Sequence, residues 1–356
     1  MRIAAVEVFP FSVPLKRPFQ IATMTSYAAD GIFVAIRTDD GRTGWGEANP
    51  LASINGETQG TCVAAVAHLT KWLVGQDPRQ ASTLSLGMRK VLDSQSAARA
   101  ALDMALYDLA AQAAGLPLFA FLGGALRDLP TDVTIGIMPP EEAAEQALTI
   151  VESGFQRVKI KLGSGLADDV ERVAAVAQGV PESVYLRVDA NQGYLRDDAL
   201  TLLEHLGDVG IEFCEQPVPR DDWDGMAYLV GRSPIPIMAD ESLFFASDAQ
   251  HLIQHKACTM MNVKLSKSGG IREGWRIAEV ASSAGIPCMM GGMVETRLGV
   301  TAAAHLACAH GNFRFFDLDS HMPHAEDPIE GGVTYENGFC RLPSTPGLGA
   351  KPSGLN

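Results

Sequence analysis

The sequence predicts an α/β protein built on a (β/α)₈ barrel of the TIM type, preceded by a smaller α+β domain. Two observations lead to this prediction. The 356 residues exceed the roughly 250 residues of a typical barrel by enough for a further domain. From about residue 130, a short apolar run rich in β-forming residues, followed by an alanine-rich stretch of helical length, occurs eight times.

The eight apolar runs begin 24 to 28 residues apart, which is the length of one strand, one helix and two short loops. The runs are VTIGIM from Val133, RVKIKLG from Arg157, YLRVDAN from Tyr185, IEFCEQP from Ile211, PIMADES from Pro236, MMNVKLS from Met260, PCMMGGM from Pro287 and FRFFDLD from Phe313. The stretches 141–153, 168–178 and 271–284 carry apolar residues at helical spacing. An open doubly wound sheet is the alternative, but eight units without a GxGxxG turn favour a closed barrel.

The residues before the repeats follow a different pattern. Residues 1–13 and 31–48 are predicted strands, the latter pair joined by a turn at Asp39-Asp40-Gly41. Helices are predicted over 57–73 and 97–114. We therefore expect a capping domain over 1–125, a barrel over 126–322, and a tail over 323–356 that returns to the capping domain.

Composition excludes several classes of protein. A net charge of −14 argues against a nucleic-acid partner, which needs a basic surface. No apolar run reaches the ~20 residues of a membrane span, and the N-terminal segment has no signal-peptide core, so we expect a cytoplasmic protein without a membrane partner. The six cysteines lack zinc-site spacing, and we expect them to be buried reduced thiols.

Three consecutive predicted strands end in a carboxylate. These are Asp189, Glu215 and Asp240, spaced 26 and 25 residues apart. Catalytic groups of a barrel lie at the C-terminal ends of its strands, and each acid alone could instead cap the next helix. Three together at one rim form a hard-oxygen site suited to Mg²⁺, and we expect one Mg²⁺ per subunit.

Lysines flank this set of acids. Lys159 and Lys161 lie on the preceding strand and, because strand side chains alternate, point to the same side, into the barrel mouth. Lys264 lies one unit after Asp240. Lys267 falls after its strand, and we expect it to be solvated. Neighbouring cations should lower the pKa of a lysine here and make it a general base.

This arrangement suits removal of a proton from the carbon beside a carboxylate. Such a carbon acid is very weak, and its enediolate needs the charge of a divalent cation. With Lys161 and Lys264 on opposite faces of the carbon, one lysine can remove the proton and the other can return it. The stereocentre is then inverted.

Several sequence motifs together resemble those of the enolase superfamily. The KxK motif at the second predicted barrel strand, combined with Lys264 at the sixth, resembles the muconate-lactonizing subgroup of that superfamily. The motifs are WGEA, VKIKLG, RVDANQGY, CEQPV, MADES, NVKLSKSGGI and GGMVETRLG. Within that subgroup, the DLD at Asp317 to Asp319 is similar to a motif of the dipeptide epimerases. Both carboxylates lie on one side of the strand, where they can pair with the ammonium of an N-terminal residue.

The resemblance implies further roles. Thr134, Lys159 and Met293 would contact a dipeptide, and Asn191 and Glu241 would support the metal and the base. Two loops of the capping domain, 19–27 and 49–56, would set side-chain preference. Epimerases of L-Ala-D/L-Glu that resemble this sequence carry an arginine in the first loop, and here that position is Met24. A neutral pocket lined by Phe19, Met24 and Ile54 predicts dipeptides such as L-Ala-L-X with an apolar or small residue X. The resemblance also leads us to expect a homo-oligomer.

Other functions stay open at this stage. One is a muconate-type cycloisomerase, or a racemase of N-acylated amino acids or betaines, from the same superfamily. Another is an aldolase in which Lys161 or Lys264 forms a Schiff base. A third is a barrel that only binds a ligand, which we weight low because so many lysines and carboxylates are costly to bury without chemistry.

Overall fold

The computed structural model describes residues 1–355, and it begins with an antiparallel sheet. Strand β1 (Ile3–Ile21) pairs with β2 (Met24–Thr38), which pairs with β3 (Thr43–Ala48). The β1–β2 hairpin is longer than predicted, because pairing continues through Phe19 with Ser26 to Ile21 with Met24. The stretch 19–27, expected as a loop, is therefore largely the tip of a hairpin.

Helices then cover the sheet. They are α1 (Ala52–Asn55), α2 (Gln59–Leu73), a 3₁₀ turn (Pro78–Gln80), α3 (Ala81–Val91), α4 (Ser96–Ala114) and α5 (Leu118–Phe121). Helix α4 is buried along almost its whole length and packs on β3. A Cβ atom added at Gly46 would lie 1.9 Å from the Ala101 carbonyl oxygen, so glycine is required for this close approach. The predicted helices 57–73 and 97–114 are confirmed within two residues.

The second region is a barrel of eight parallel strands. After the short β4 (Leu129–Pro130), the strands are β5 (Val133–Ile135), β6 (Arg157–Lys161), β7 (Tyr185–Asp189), β8 (Ile211–Glu215), β9 (Ile237–Ala239), β10 (Met260–Val263), β11 (Cys288–Met290) and β12 (Phe313–Phe316), in that spatial order. The Asp132 amide donates to the Phe316 carbonyl at 3.3 Å, where the two edges of the sheet meet. The predicted (β/α)₈ fold with its capping domain is confirmed.

The outer helices follow the strands. They are α6 (Pro140–Glu152), α7 (Leu166–Gly179), α8 (Arg196–His205), α9 (Trp223–Val230), α10 (Ala246–His255), α11 (Leu265–Ser268), α12 (Ile271–Ser283) and α13 (Arg297–Ala309). Each alternates with a strand, except that α11 and α12 both follow β10. The carboxyl ends of the strands therefore all open at one rim, below the capping domain.

The tail contains four short strands, β13 (Ile329–Gly331), β14 (Thr334–Glu336), β15 (Phe339–Arg341) and β16 (Ala350–Pro352). It reaches the capping domain where the Leu348 amide donates to Asp108 at 2.8 Å, and Gly347 exchanges backbone hydrogen bonds with the segment before α5. The residue limits of the three predicted segments stay a prediction. All six cysteines are buried free thiols, as expected, and no helix within residues 1–355 is long and apolar enough to cross a membrane.

Candidate active site

Three buried carboxylates meet at the rim of the barrel. Asp189 and Glu215 end β7 and β8, and Asp240 directly follows β9. Their ligand oxygens all lie within 4.8 Å of one another. The structure thus brings together the three acids that the sequence analysis selected, because each closes one parallel strand of the same sheet.

The pKa values of the acids at this rim reflect a local excess of negative charge. Burial, and then the charge of Asp189, raises the pKa of Glu215 to about 8. Burial likewise raises the pKa of the neighbouring Glu241 to about 7, with a further contribution from Asp240. Asp240 differs: burial opposes its ionisation, yet Lys264 and Lys267 hold its pKa below the usual range. A set of hard oxygen donors that repel one another suits a small divalent cation.

Lys161 and Lys264 stand at the two ends of the carboxylate set. Lys161 Nζ donates to Asp189 Oδ2 at 2.5 Å, and Lys264 Nζ donates to Asp240 Oδ2 at 2.8 Å. Both lysines are buried and line the same cavity. Their placement on either side of the acids is the one that two-base chemistry requires.

The expected lowering of the lysine pKa is not seen at Lys264. Burial disfavours its charged form, but the attraction of Asp240 and Glu215 raises its pKa above the usual value. The prediction was made for a lysine beside Mg²⁺, and for the metal-loaded site it stays a prediction.

The prediction that Lys267 is solvated is wrong. Its side chain is fully buried, and Nζ donates to Asp240 Oδ1, to the Asp240 carbonyl at 2.5 Å and to the Asn262 carbonyl at 3.3 Å. Helix α11, which carries Lys267, packs against α4 of the capping domain. Burial of Lys267 thus goes with its contact to Asp240, 27 residues earlier, and the sequence around Lys267 carries no sign of that contact.

A second group of acids lies beside the first. Asp317 forms an ion pair with Lys159, whose Nζ also lies 3.4 Å from Glu215. Asp319 accepts the Thr134 amide at 2.6 Å. Burial, and then the charge of Asp317, raises the pKa of Asp319 to about 7. The two aspartates of the DLD motif therefore line one cavity, although β12 ends at Phe316 and both follow the strand in place of alternating within it.

Sequence reasoning missed a buried ion pair behind these aspartates. Arg187 Nη1 lies 2.7 Å from Asp132, and its Nε lies 2.8 Å from Glu212. The Arg187 side chain is also stacked near Phe213 and Phe315. An arginine within the apolar strand YLRVD was the available signal, since such a residue needs a buried partner.

Two adjoining cavities connect these groups. We call the first the reaction compartment: its lining includes Lys161, Lys264, Asp240, Met24 and Ile54. We call the second the ammonium compartment: its lining includes Lys159, Thr134, Asp317 and Asp319. Phe19, Lys161 and Met293 border both. All the predicted site residues except Asp189 and Glu215 therefore line at least one of the two cavities. Asp189 contacts Lys161 and Glu215 contacts Lys159, and both of these lysines line the cavities.

The segment 49–56, expected as a loop, contains the short helix α1 with Ile54, and it is held onto the barrel. Arg220, from the loop after β8, donates to the Ile54 carbonyl at 2.7 Å. Ser53 Oγ lies 3.2 Å from Met24 Sδ. Asn191 supports the opposite wall, since its amide group donates to Glu241 Oε1 at 3.2 Å and its backbone amide donates to Asp189 at 2.9 Å.

Comparison with known families agrees with this geometry. The family described as enolase C-terminal domain-like matches residues 142–354, and the N-terminal domain of the mandelate racemase/muconate lactonizing enzyme family matches residues 4–123. The chain belongs to the mandelate racemase/muconate lactonizing enzyme family. The resemblance noted from the sequence motifs is thereby confirmed.

Several full-length relatives in this family are dipeptide epimerases, and an N-succinyl-L-Arg/Lys racemase of Bacillus cereus also matches, with 32% identity over 98% of this chain. An L-Ala-D/L-Glu epimerase of Bacillus subtilis is 38% identical over 98% of this chain and 96% of its own length. A dipeptide epimerase from Cytophaga hutchinsonii, solved with Mg and D-Ala-L-Val, is 38% identical, with a TM-score of 0.97 over 99% of this chain and 97% of that one. The epimerase from Enterococcus faecalis, solved with Mg and L-Leu-L-Tyr, is 39% identical, with a TM-score of 0.96 over 98% and 99%.

Proposed function

We propose that this protein is an Mg²⁺-dependent dipeptide epimerase, an isomerase that inverts the α-carbon next to the C-terminal carboxylate. The observation that carries the proposal is the pair of buried lysines, Lys161 and Lys264, at opposite ends of three converging carboxylates and on the wall of one cavity. The epimerases among the full-length relatives support the same reaction class.

Asp189, Glu215 and Asp240 are the residues that would hold the metal. Once bound, Mg²⁺ stabilises the negative charge that develops on the substrate carboxylate when the α-proton leaves. Lys267 holds Asp240 through the carboxylate oxygen that does not contact Lys264. Asn262 in turn donates to Glu215 at 2.7 Å, so two of the three acids have a fixed orientation.

Lys161 and Lys264 exchange the proton. One lysine, in its neutral form, takes the α-proton on one face and becomes an ammonium. The ammonium of the other lysine returns a proton to the opposite face, which restores the carbon with inverted configuration. No other bond of the dipeptide changes, and the two lysines exchange protonation states in each turnover.

The substrate's two ends meet different compartments. Asp317 and Asp319 suit the free ammonium of the N-terminal residue, while Thr134, Lys159 and Met293 line the space between the two ends. Phe19, Met24 and Ile54 give the reaction compartment an apolar wall. A glutamate carboxylate there would lose its hydration without gaining a cationic partner from that wall, so the C-terminal residue X is expected to be apolar or small.

Incorporation of deuterium from D₂O, followed by mass spectrometry, tests the proposal. With Mg²⁺, L-Ala-L-X dipeptides with apolar X should exchange their C-terminal α-proton, and EDTA should abolish the exchange. Lys161→Met and Lys264→Met should each lower epimerisation by at least about 100-fold. The matched variant Lys71→Met, at an exposed position of α2, should retain full activity.

Three results would overturn the proposal. The first is rapid exchange of L-Ala-L-Glu with none of any apolar dipeptide, which would contradict the assigned specificity. The second is exchange of N-succinyl amino acids without exchange of dipeptides, which would indicate an N-acylamino acid racemase. The third is trapping of substrate on a lysine by borohydride with full activity in EDTA, which would indicate a Schiff-base aldolase. The expected homo-oligomeric state and cytoplasmic location stay predictions.

A further inference from the structure

A third cavity extends the site beyond Asp319. We call it the outer chamber, and its walls are formed by Phe19, Thr134, Ile137, Met138, Gln146 and Met322. Its volume is about 190 Å³, against about 60 Å³ for the reaction compartment and 50 Å³ for the ammonium compartment. The outer chamber is therefore the largest of these three spaces, and its lining includes Asp319 but not Lys264.

The outer chamber has fixed walls. One side is strand β1, which is attached to the barrel on either side of the chamber. The Lys16 amide donates to the Pro323 carbonyl at 2.8 Å, and the Ile137 amide donates to the Gln20 carbonyl at 2.9 Å. The segment between these two hydrogen bonds carries Phe19 over the chamber, so the space is preformed and a ligand need not open it.

The outer chamber adjoins the place where an N-terminal ammonium would bind. It shares Phe19, Thr134, Asp319 and Pro323 with the ammonium compartment. A group attached to the carbon next to the ammonium is therefore within direct reach of the chamber. A peptide extended by one more residue would place a neutral amide against the buried Asp317 and Asp319, and would leave Asp319 without a cation, while Asp317 keeps its ion pair with Lys159. A side chain fits this position, and a longer peptide chain does not.

We propose that the outer chamber binds the side chain of the dipeptide's N-terminal residue and selects long apolar side chains over alanine. This inference rests on the proposed epimerase function and specifies its substrate class. Phe19, Ile137, Met138 and Met322 give the chamber apolar walls. Large side chains that enter such a space gain the free energy of apolar burial, which alanine cannot.

Charge at the chamber mouth excludes one class of side chain. Lys16 and Arg17 border it, and Lys16 Nζ is held there by the Met322 carbonyl at 2.9 Å. Asp319 is the carboxylate among the lining residues, and Glu142 and Glu145 line the adjoining cavity that shares Arg17 and Gln146 with the chamber. Within the chamber itself, an N-terminal lysine or arginine would bring its charged end toward Lys16 and Arg17, so these residues are disfavoured there.

The test compares dipeptides that differ only at the N-terminal residue. We expect kcat/KM for epimerisation of L-Leu-L-Ala and L-Phe-L-Ala to exceed that of L-Ala-L-Ala by at least about tenfold, and that of L-Lys-L-Ala to lie below both large apolar substrates by a similar factor. Met138→Trp, which fills the chamber, should lower the ratio of the Leu to the Ala substrate about tenfold. Leu148→Trp, at a residue that is 43% exposed on the same helix as Gln146, should leave the ratio unchanged.

The outcomes separate this inference from the epimerase proposal. If L-Ala-L-Ala reacts as fast as the larger substrates in the wild-type protein, the inference is wrong and the epimerase function stands. The same holds if Met138→Trp and Leu148→Trp have equal Leu-to-Ala ratios. If none of the four dipeptides exchanges its α-proton with Mg²⁺ present, both the proposed function and the inference fail.

Discussion

Recognition of the substrate ammonium by Asp319 leads to a prediction about activity and pH. Asp317 and Asp319 lie side by side, and Asp317 stays ionised because it is paired with Lys159. Burial and the charge of Asp317 raise the pKa of Asp319 to about 7. Burial and the charge of Asp317 also raise the pKa of the neighbouring Asp132. Of the two DLD aspartates, Asp319 is therefore the one that takes up a proton near neutral pH, and this uptake removes one of the two charges available to the ammonium.

The expected size of the effect follows from this pKa. At pH 8 Asp319 is about nine-tenths ionised, and at pH 6 about one-tenth, for a pKa of about 7. Removing the charge of a buried, hydrogen-bonded ion pair costs at least about 2 kcal/mol, or about 30-fold in affinity. Asp319→Asn should therefore lower kcat/KM at least about 30-fold at pH 8. The deficit should shrink by about tenfold at pH 6, where the wild-type side chain is mostly neutral as well.

The assay is kcat/KM for a free dipeptide, measured from pH 6 to pH 8.5 for the wild type and Asp319→Asn. The ratio of the two profiles cancels every titration that they share, the lysines included. Asp198→Asn, at an exposed position of α8, serves as the matched control and should follow the wild type throughout. A ratio that stays constant with pH, or that rises as the pH falls, would refute the reasoning.

Two further predictions concern stability. Arg187→Met leaves the buried Asp132 without its cation and should lower the free energy of unfolding in urea by about 3–5 kcal/mol. The double variant Arg187→Met/Asp132→Asn should recover part of that loss. A double variant that is no more stable than Arg187→Met would contradict this prediction. Burial lowers the pKa of His305 to about 4, so the unfolded chain, with its ordinary value of about 6.5, binds a proton first as the pH falls. The contribution of His305 to the free energy of unfolding should be complete above pH 6.5 and should decrease by about 3 kcal/mol toward pH 4. In urea titrations, the free energy of unfolding of His305→Gln should therefore decrease less steeply with falling pH than that of the wild type. Equal slopes for the two proteins would count against this prediction.

The sequence predicted those parts of the molecule that depend on local pattern. The eight strands and the rim position of Asp189, Glu215 and Asp240 follow from repeat length and from where each apolar run ends. The orientation of Lys159 and Lys161 follows from strand alternation alone. These features require no knowledge of which distant elements pack together.

The predictions that were wrong concern features that depend on contacts between distant parts of the chain. Lys267 was expected in solvent because it follows the end of its strand, but its ammonium is buried against Asp240, 27 residues earlier. The hairpin tip around Met24 was expected as a loop, since its weak apolar pattern does not show that it continues the pairing of β1 with β2. In both cases a long-range contact decides the outcome.

The ion pairs of the site also connect metal binding with base strength. Lys161 and Lys264 donate to Asp189 and Asp240, two of the three acids proposed as Mg²⁺ ligands, and a lysine held there as an ammonium is not a base. Glu215 and Asp240 would bind a divalent cation as carboxylates, and the charge of that cation would offset the attraction that raises the pKa of Lys264. Lys264, Glu215 and Asp240 thus form one titrating unit. Base strength at Lys264 is then a property of the loaded site, which is why burial between carboxylates is compatible with a catalytic role.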